Sequence, residues 1–480
     1  MIHSSIEPGR TLLIGGKWQS ADRVIDVCNP WNGAVIGRAA NAEPSHVEQA
    51  IACAVHGASI MRDMPTGERS RLLHSVADAL SQDAQSFALT ITAETGKPIT
   101  NAQREVARAV NTLRLSAEEA TRLYGETVPF DSFSGGEKRT GHYVHVPIGV
   151  VVAITPFNDP LNLVCHKLGP AIAAGNSVIL KPAKQSPMVA VMLARLFLAA
   201  GLPTNALGVL TGEGRDIGNA LVAHRHVALV SFTGGVAAGE AITRASGIKR
   251  LAMELGGNGA VIVMPDADLE KAADACVAGA FGAAGQNCIG VQRILIHESI
   301  YRGFRELLIA RTGQLNIGNP TNAETQVGPM IDEAAALRIE TWIEEAVGRG
   351  ARLLCGGERQ GTLIAPSLLE NIPQGTSLAC EEAFGPVAGL SKFSDLDSAI
   401  EEANRPAYTI HASIFTTSLD AANLAAQRLK AAGVMVNDST DYRLDAMPFG
   451  GAGRGNMGRE GVRFAIREMS QTKVVCFNHG

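Results

Sequence analysis

The sequence predicts an α/β protein with a parallel-sheet unit followed by a second α/β unit, and three observations carry the prediction. From residue 149 short apolar runs alternate with segments of helical length and periodicity, the pattern that strand–helix–strand units produce. A second alternation of the same kind runs from 266 to about 439. At 480 residues, with 46% hydrophobic content and 51 glycines, the chain can build two or three cores and the many turns that connect them.

The elements follow in order. Residues 11–35 alternate apolar and polar positions around Gly15-Gly16 and Pro30-Trp31-Asn32-Gly33, which reads as short strands and turns. Apolar spacing of three and four predicts helices over 43–58, 67–95 and 101–121. The stretch 125–145 is more polar and glycine-rich, with alternation at Tyr143-Val144-His145-Val146, and reads as an extended hairpin projecting from the body. Strands are then expected at 150–154, 177–181, 208–211 and 228–232, with helices at 161–174, 187–200 and 216–222 between them. Parallel strands with helices on both faces are a nucleotide-binding architecture, although no G-x-G-x-x-G is present here. In the second half helices are expected at 267–280, 299–308, 333–348, 394–403 and 419–432, and a strand at 470–477.

Composition excludes several functions. Lysine and arginine number 42 against 47 acidic residues, a net charge of −5, which argues against a nucleic-acid or anionic-membrane surface. Aromatic residues make up 5%, too few for a base-stacking platform. Cys28, Cys53, Cys165, Cys276, Cys288, Cys355, Cys380 and Cys476 are scattered singly, so neither a metal site nor a disulfide framework is expected. The first residues lack a signal pattern, and the most apolar helical run, 189–200, is short and broken by Arg195. A soluble, cytoplasmic setting is the expectation.

Three stretches bear chemistry. Cys288 follows Gly285-Gln286-Asn287, where small residues let the backbone approach a ligand; taken alone it is a nucleophile or a small buried hydrophobe. Glu254 lies in an apolar run before Gly256-Gly257, as a base of raised pKa or a carboxylate held by backbone donors. Asn158 follows a strand and a proline turn, where its amide caps the next helix or donates to a developing oxyanion. Nucleophile, base and oxyanion donor together suit acyl-type chemistry at a carbonyl.

These stretches belong to a longer series: Thr155-Pro156-Phe157-Asn158, Leu180-Lys181-Pro182, Phe232-Thr233-Gly234-Gly235, Glu254-Leu255-Gly256-Gly257, Gly285-Gln286-Asn287-Cys288, Glu381-Glu382-Ala383-Phe384-Gly385-Pro386 and Pro448-Phe449-Gly450-Gly451. In order and spacing the series resembles the aldehyde dehydrogenase superfamily over nearly the whole chain. The resemblance implies an aldehyde dehydrogenase-like fold, with a variant Rossmann cofactor domain lacking the usual glycine fingerprint (1–124 and 146–253), an α/β catalytic domain (254–440) and a small β oligomerisation arm (125–145 and 465–480). It implies a homodimer or homotetramer.

For the cofactor, NAD or NADP, the resemblance assigns Thr155, Pro156, Phe157, Lys181, Ala183, Lys184, Gly214, Phe232, Thr233, Gly234, Gly235, Leu255, Gly256, Glu382 and Phe384. Thr233-Gly234-Gly235 opens a helix, whose free amides suit a pyrophosphate, though an ordinary glycine turn has the same pattern. Glu382 matches a ribose ligand; a carboxylate at a helix start is its other reading. Members preferring NAD usually carry a glutamate where this chain has Lys184, and a lysine there attracts a 2′-phosphate. NADP is therefore expected to serve at least as well as NAD.

The implied chemistry is attack by Cys288 on the aldehyde, hydride transfer to the nicotinamide, and hydrolysis of the thioester by water that Glu254 activates. The backbone amide of Cys288 and the side chain of Asn158 hold the oxyanion. Members that pass the acyl group to coenzyme A lack the Glu254 base, so its presence favours release of the acid. Arg104, Arg108, Asp159, Asn287, Ile289, Asp441, Tyr442 and Arg443 occupy the substrate positions. Asp441-Tyr442-Arg443-Leu444 with Arg108 resembles the branch containing phosphonoacetaldehyde dehydrogenase, and an arginine pair suits an anionic tail. Asp159 and Asn287 stand where that branch has basic residues, and Asp159 would repel a dianion. A small aldehyde with one negative charge or several hydroxyls fits better, while Arg108 also reads as a solvated helix residue. The 450–458 loop departs from the family, with Gly453 in place of a lysine and Gly455-Asn456 in place of Ser-Gly. A cysteine esterase or thioesterase, or a structural protein on the same scaffold, is the competing reading; the retained cofactor motifs oppose the first and the intact Cys288, Glu254 and Asn158 the second.

Overall fold

The computed structural model describes residues 9–453 and 457–480, so positions 454–456 of the divergent loop lie outside the described residues. Two seven-stranded sheets organise the chain. In the first, the order is Arg250–Glu254, Val227–Thr233, Val150–Ile154, Ser177–Lys181, Leu207–Val209, Leu12–Ile14 and Lys17–Gln19. Its first five strands run parallel, and the two amino-terminal ones close the edge antiparallel. Helices cover both faces, which is why Val150, Val151, Val152 and Ala153 form an unbroken apolar run: every side chain is inside.

The second sheet has the order Arg352–Cys355, Ser367–Glu370, Val387–Phe393, Arg293–His297, Ala260–Val263, His411–Phe415 and Gly433–Val436. It is parallel except for its Arg352–Cys355 edge. Register determines how the sheets meet. Ile154 pairs with Lys181 and Phe232, and Thr233 with Glu254, so the carboxyl ends of four strands lie along one line. From Glu254 the chain crosses directly to Ala260, which begins a strand at the amino edge of the second sheet. There Ala260 pairs with Arg293 and Arg293 with Gly389. The carboxyl edge of one sheet therefore opens onto the amino edge of the other, and the loops of both edges meet in one cleft.

The 125–145 hairpin is present as Glu126–Thr127 and Arg139–Pro147, and the latter pairs along its length with Ser470–Asn478. Preceding that last strand, the Val462–Glu468 helix packs on the body against the Asn162–Ala173 and Ile99–Ala120 helices. One element differs from expectation: 67–95 is not one helix. It breaks at Asp83 (φ −105°, ψ 20°) into Thr66–Gln82 and Ala84–Thr95. The apolar spacing of three and four continues across the join, so periodicity alone hides it; the break turns Phe87, Ala88 and Ile91 into the core. The Asn162–Ala173 helix is buried all round, with His166 and Lys167 inside it. Among the described residues no helix is long and apolar enough to cross a membrane.

Candidate active site

Cys288 is placed by an unusual turn. The Leu269–Phe281 helix ends, and Ala283 (φ 51°, ψ 35°), Ala284 (φ 56°, ψ 35°) and Gly285 (φ 68°) follow in the left-handed region. Two alanines there cost about 1–2 kcal/mol each, a strain that persists only where surroundings enforce it. Gly285 has a second reason to be glycine, since a Cβ would lie 2.1 Å from the carbonyl oxygen of Gly385. The turn is pinned from outside: the Ile331 amide donates to Gln286 Oε1 at 2.9 Å. Beyond it the Ile289 amide donates to Asn287 Oδ1 at 3.3 Å, and Cys288 packs against Ile289, Ile410 and Phe449.

Cys288 opens into a cavity of about 1070 Å³ between the two sheets. Glu254 and Asn158 line the same cavity, as do Pro156, Phe157, Thr233, Gly234, Gly235, Leu255, Gly256, Glu382 and Phe384. All eight expected substrate positions, Arg104, Arg108, Asp159, Asn287, Ile289, Asp441, Tyr442 and Arg443, line it too. Thr155, Lys181, Ala183, Lys184, Gly214 and Phe232 lie outside its wall, at or near the carboxyl ends of the first sheet's strands. Lys181 is buried, with Nζ donating to the carbonyls of Pro182 and Gly212 at 3.0 Å each. Lys184 is half exposed and pairs with Glu213 at 3.1 Å.

The electrostatics are those of a dry site. Burial pushes the Cys288 thiol up; Glu382 and Glu254 add to the shift and Arg443 opposes it. Burial, with Glu460 nearby, also holds Glu254 well above the usual carboxylate range. Glu254 Oε2 is buried without a hydrogen-bond partner, an acceptor left for a guest in the cavity. The side-chain amide of Asn158 has no partner among the described residues. Glu382 is pushed up to about 7 by burial, against the Gly257 amide and Arg338. It is not at a helix start but in a loop over Gly256, where a Cβ would fall 1.8 Å from Glu382 Oε2. Phe384 (φ 46°) meets Phe157 edge-on across the cleft at 5.8 Å.

Sequence reasoning missed the charged network beneath this cavity. Lys97 pairs with Glu105 and Asp159, and Arg108 bridges Asp159 (3.1 Å) and Asp445 (2.8 Å). Asp445 also accepts from Asn162 Nδ2 (3.1 Å) and His166 Nε2 (2.9 Å). Glu460 takes Lys167 (3.1 Å) on one oxygen and Arg443 (2.9 Å) on the other. Burial works against the Glu460 charge, but Lys167 and Arg443 hold its carboxyl down at about 2. Burial likewise opposes the Lys97 charge, yet Asp159 and Glu105 hold it above the usual lysine value. Asp159 is therefore no isolated negative charge facing a ligand, as the sequence suggested; two cations neutralise it. The legible signal was His166-Lys167, a charged pair interrupting an otherwise apolar helix.

The family model for the aldehyde dehydrogenase family matches residues 18–475. The chain belongs to that family. It is 50% identical over 454 residues to aspartate-semialdehyde dehydrogenase 1 of Pseudomonas canavaninivorans, covering 95% of this chain and 96% of the relative. With 3-sulfolactaldehyde dehydrogenase of Priestia aryabhattai it shares 41% identity over 467 residues, 97% and 98% of the two chains. The crystal structure of an NADP-dependent glyceraldehyde-3-phosphate dehydrogenase from Bacillus halodurans, complexed with NADP, superimposes with a TM-score of 0.96 at 33% identity, covering 99% of this chain and 100% of that one. The expected family and fold are both found, and the chain is an aldehyde-oxidising enzyme by family.

Proposed function

We propose that this protein oxidises a small polar or anionic aldehyde to its carboxylic acid with NAD(P), through a thiohemiacetal and a thioester on Cys288. The observation that supports the reading most is the common wall: Cys288, Glu254 and Asn158 line one cavity together with Thr233–Gly235 and Glu382. The fit of a dinucleotide rests on the same wall. The Val236–Ser246 helix begins directly after Gly235, and its first-turn amides suit a pyrophosphate. Gly256 leaves Glu382 the room that a Cβ would fill, and Phe384 lies at the mouth next to Phe157. The bound nicotinamide supplies a hydride acceptor.

The chain's own groups do the rest. The Cys288 sulfur, once deprotonated, bonds to the aldehyde carbon, while the Asn158 amide and the Cys288 backbone N–H stabilise the alkoxide. Loss of hydride from that carbon leaves the acyl group as a thioester on the sulfur. The free Oε2 of Glu254 takes a proton from water, the resulting hydroxide adds to the acyl carbon, and the thiolate leaves as the acid forms. Glu254 ionises late because it is buried, and Lys167 and Arg443 are the charges that favour its anionic form.

The relatives are named for aspartate semialdehyde and 3-sulfolactaldehyde, small polar aldehydes that carry a carboxylate and a sulfonate respectively, which supports a small polar or anionic substrate here. Lys184, half exposed beside Glu213, supports use of NADP. We assign the 1–124 and 146–253 segments to the cofactor, 254–440 to catalysis, and 125–145 with 465–480 to a homodimer or homotetramer contact. Exposed Tyr124, Phe133, Val474 and Phe477 at and beside that arm support the last assignment. Cys288→Ala should abolish formation of reduced nicotinamide with every aldehyde. Glu254→Gln should give one rapid equivalent per subunit and then turn over about 10²–10⁴-fold more slowly. Steady turnover at the parental rate in Glu254→Gln would remove this carboxylate from the mechanism.

A further inference from the structure

We infer that Arg104, rather than Arg108 or Arg443, anchors the tail of the aldehyde, and that the pocket is matched to one negative charge. The inference deepens the aldehyde-oxidising reading and rests on it. Lys97, Thr100, Asn101, Arg104, Glu105 and Arg108 all line the cavity. Their spacing of three and four makes them one face of the Ile99–Ala120 helix and the turn that leads into it.

Every cation of the cavity but one has an acidic or aromatic side chain as a neighbour. Lys97 is held by Glu105 and Asp159, and Arg108 by Asp159 and Asp445. Arg443 donates from one Nη to Glu460 and its guanidinium lies 3.7 Å over the Phe449 ring, while its Nε is buried without a partner. Arg338 stacks on Trp342 at 4.6 Å and faces Glu382, on the cofactor side. Arg104 is exposed and has no hydrogen bond or ion pair among the described residues. The side chains of Thr100 and Asn101, beside it on the same face, are likewise without partners among the described residues. A guanidinium flanked by a hydroxyl and an amide is a donor set for a carboxylate or sulfonate.

The count of charges sets the valence. Lys97, Arg108, Lys167 and Arg443 are matched by Glu105, Asp159, Asp445 and Glu460. With Arg338 facing Glu382, Arg104 is left as the lining cation without an acidic partner among the described residues. Glu254 and Glu382 belong to the catalytic and cofactor walls, and the carboxylates then left, Asp438 and Asp441, to another: Asp441 packs on Gly279, where a Cβ would lie 3.2 Å from its Oδ1. They oppose a second negative charge on the ligand.

The test uses the full-length protein with succinic semialdehyde as the monoanion, phosphonoacetaldehyde as the dianion and butanal as the neutral aldehyde. In Arg104→Gln the kcat/KM ratio of succinic semialdehyde to butanal should fall about tenfold to hundredfold, through KM, and Arg104→Lys should restore part of it. The parent should prefer succinic semialdehyde to phosphonoacetaldehyde. Calorimetry with succinate reads the same contact without turnover, and its dissociation constant should rise in Arg104→Gln. An unchanged ratio, an unchanged succinate affinity, or equal use of the dianion would overturn the assignment. If the parent oxidises no aldehyde the proposed reaction fails, and succinate binding alone decides the role of Arg104.

Discussion

Replacing Asp445 tests whether the buried network holds the site together. Asp445 is 3% exposed and serves three donors, Arg108, Asn162 and His166. Asp445→Ala strands two of them in the interior, the His166 ring N–H and the Asn162 amide, and each buried orphan costs about 1–3 kcal/mol. Arg108 loses less, because its side chain is 33% exposed and keeps Asp159; that share is about 0–1 kcal/mol after solvent screening. The expected destabilisation is about 3–5 kcal/mol, the range for breaking a buried ion pair from one side. Asp445→Asn keeps an acceptor for Asn162 and His166 and should cost about 1–2 kcal/mol. Urea unfolding at pH 7, followed by tryptophan fluorescence and circular dichroism, measures both. The Asp445 carboxyl lies below its ordinary pKa: burial opposes its charge, but His166 and Arg108 outweigh burial. Its contribution is therefore complete above the unfolded carboxylate value of about 3.9 and fades as pH falls towards the folded one. The gap between parent and Asp445→Asn should accordingly narrow below about pH 4. Equal midpoints for alanine and asparagine, or both within about 0.5 kcal/mol of the parent, would show that the network is not what the geometry implies.

Other outcomes follow from single features. Alkylation of Cys288 by iodoacetamide, followed by mass spectrometry, should accelerate only above the ordinary thiol pKa of about 8.5, because burial and the Glu382 and Glu254 carboxylates disfavour the thiolate; a limb near pH 7 would contradict this. Ala283→Gly should raise stability by about 0.5–1 kcal/mol, relief of a left-handed alanine exceeding the entropy lost from a more flexible unfolded chain. Gly285→Ala should have the opposite sign, read by the shift in melting temperature, since its Cβ meets the Gly385 carbonyl. Lys184→Ala should lower kcat/KM for NADP relative to NAD about tenfold, and an unaltered ratio would separate Lys184 from the 2′-phosphate.

How far the chain was legible depended on whether the relevant interaction is local. Parallel strands buried on both faces print their burial directly as apolar runs, so 150–154 and 177–181 matched Val150–Ile154 and Ser177–Lys181. The same periodicity could not show the break at Asp83, because the pattern of three and four persists through it. Glu254 and Cys288 stood out because glycines mark where backbone comes close to something else. Glu105, Asp445 and Glu460 did not, since a charged residue in a helix or loop is ordinarily solvated. Nor could the sequence tell that Arg108 and Arg443 are occupied while Arg104 is not.

The sequence by itself determined the α/β class and the order of strands and helices, because periodicity is a property of neighbouring residues, and its family resemblance singled out Cys288, Glu254 and Asn158 as candidates. The tertiary structure alone decided which charges are spent on one another and which face the ligand. Lys97 meets Asp159 and Arg108 meets Asp445 across separations of 62 and 337 residues, and no local pattern records a partner so far along the chain.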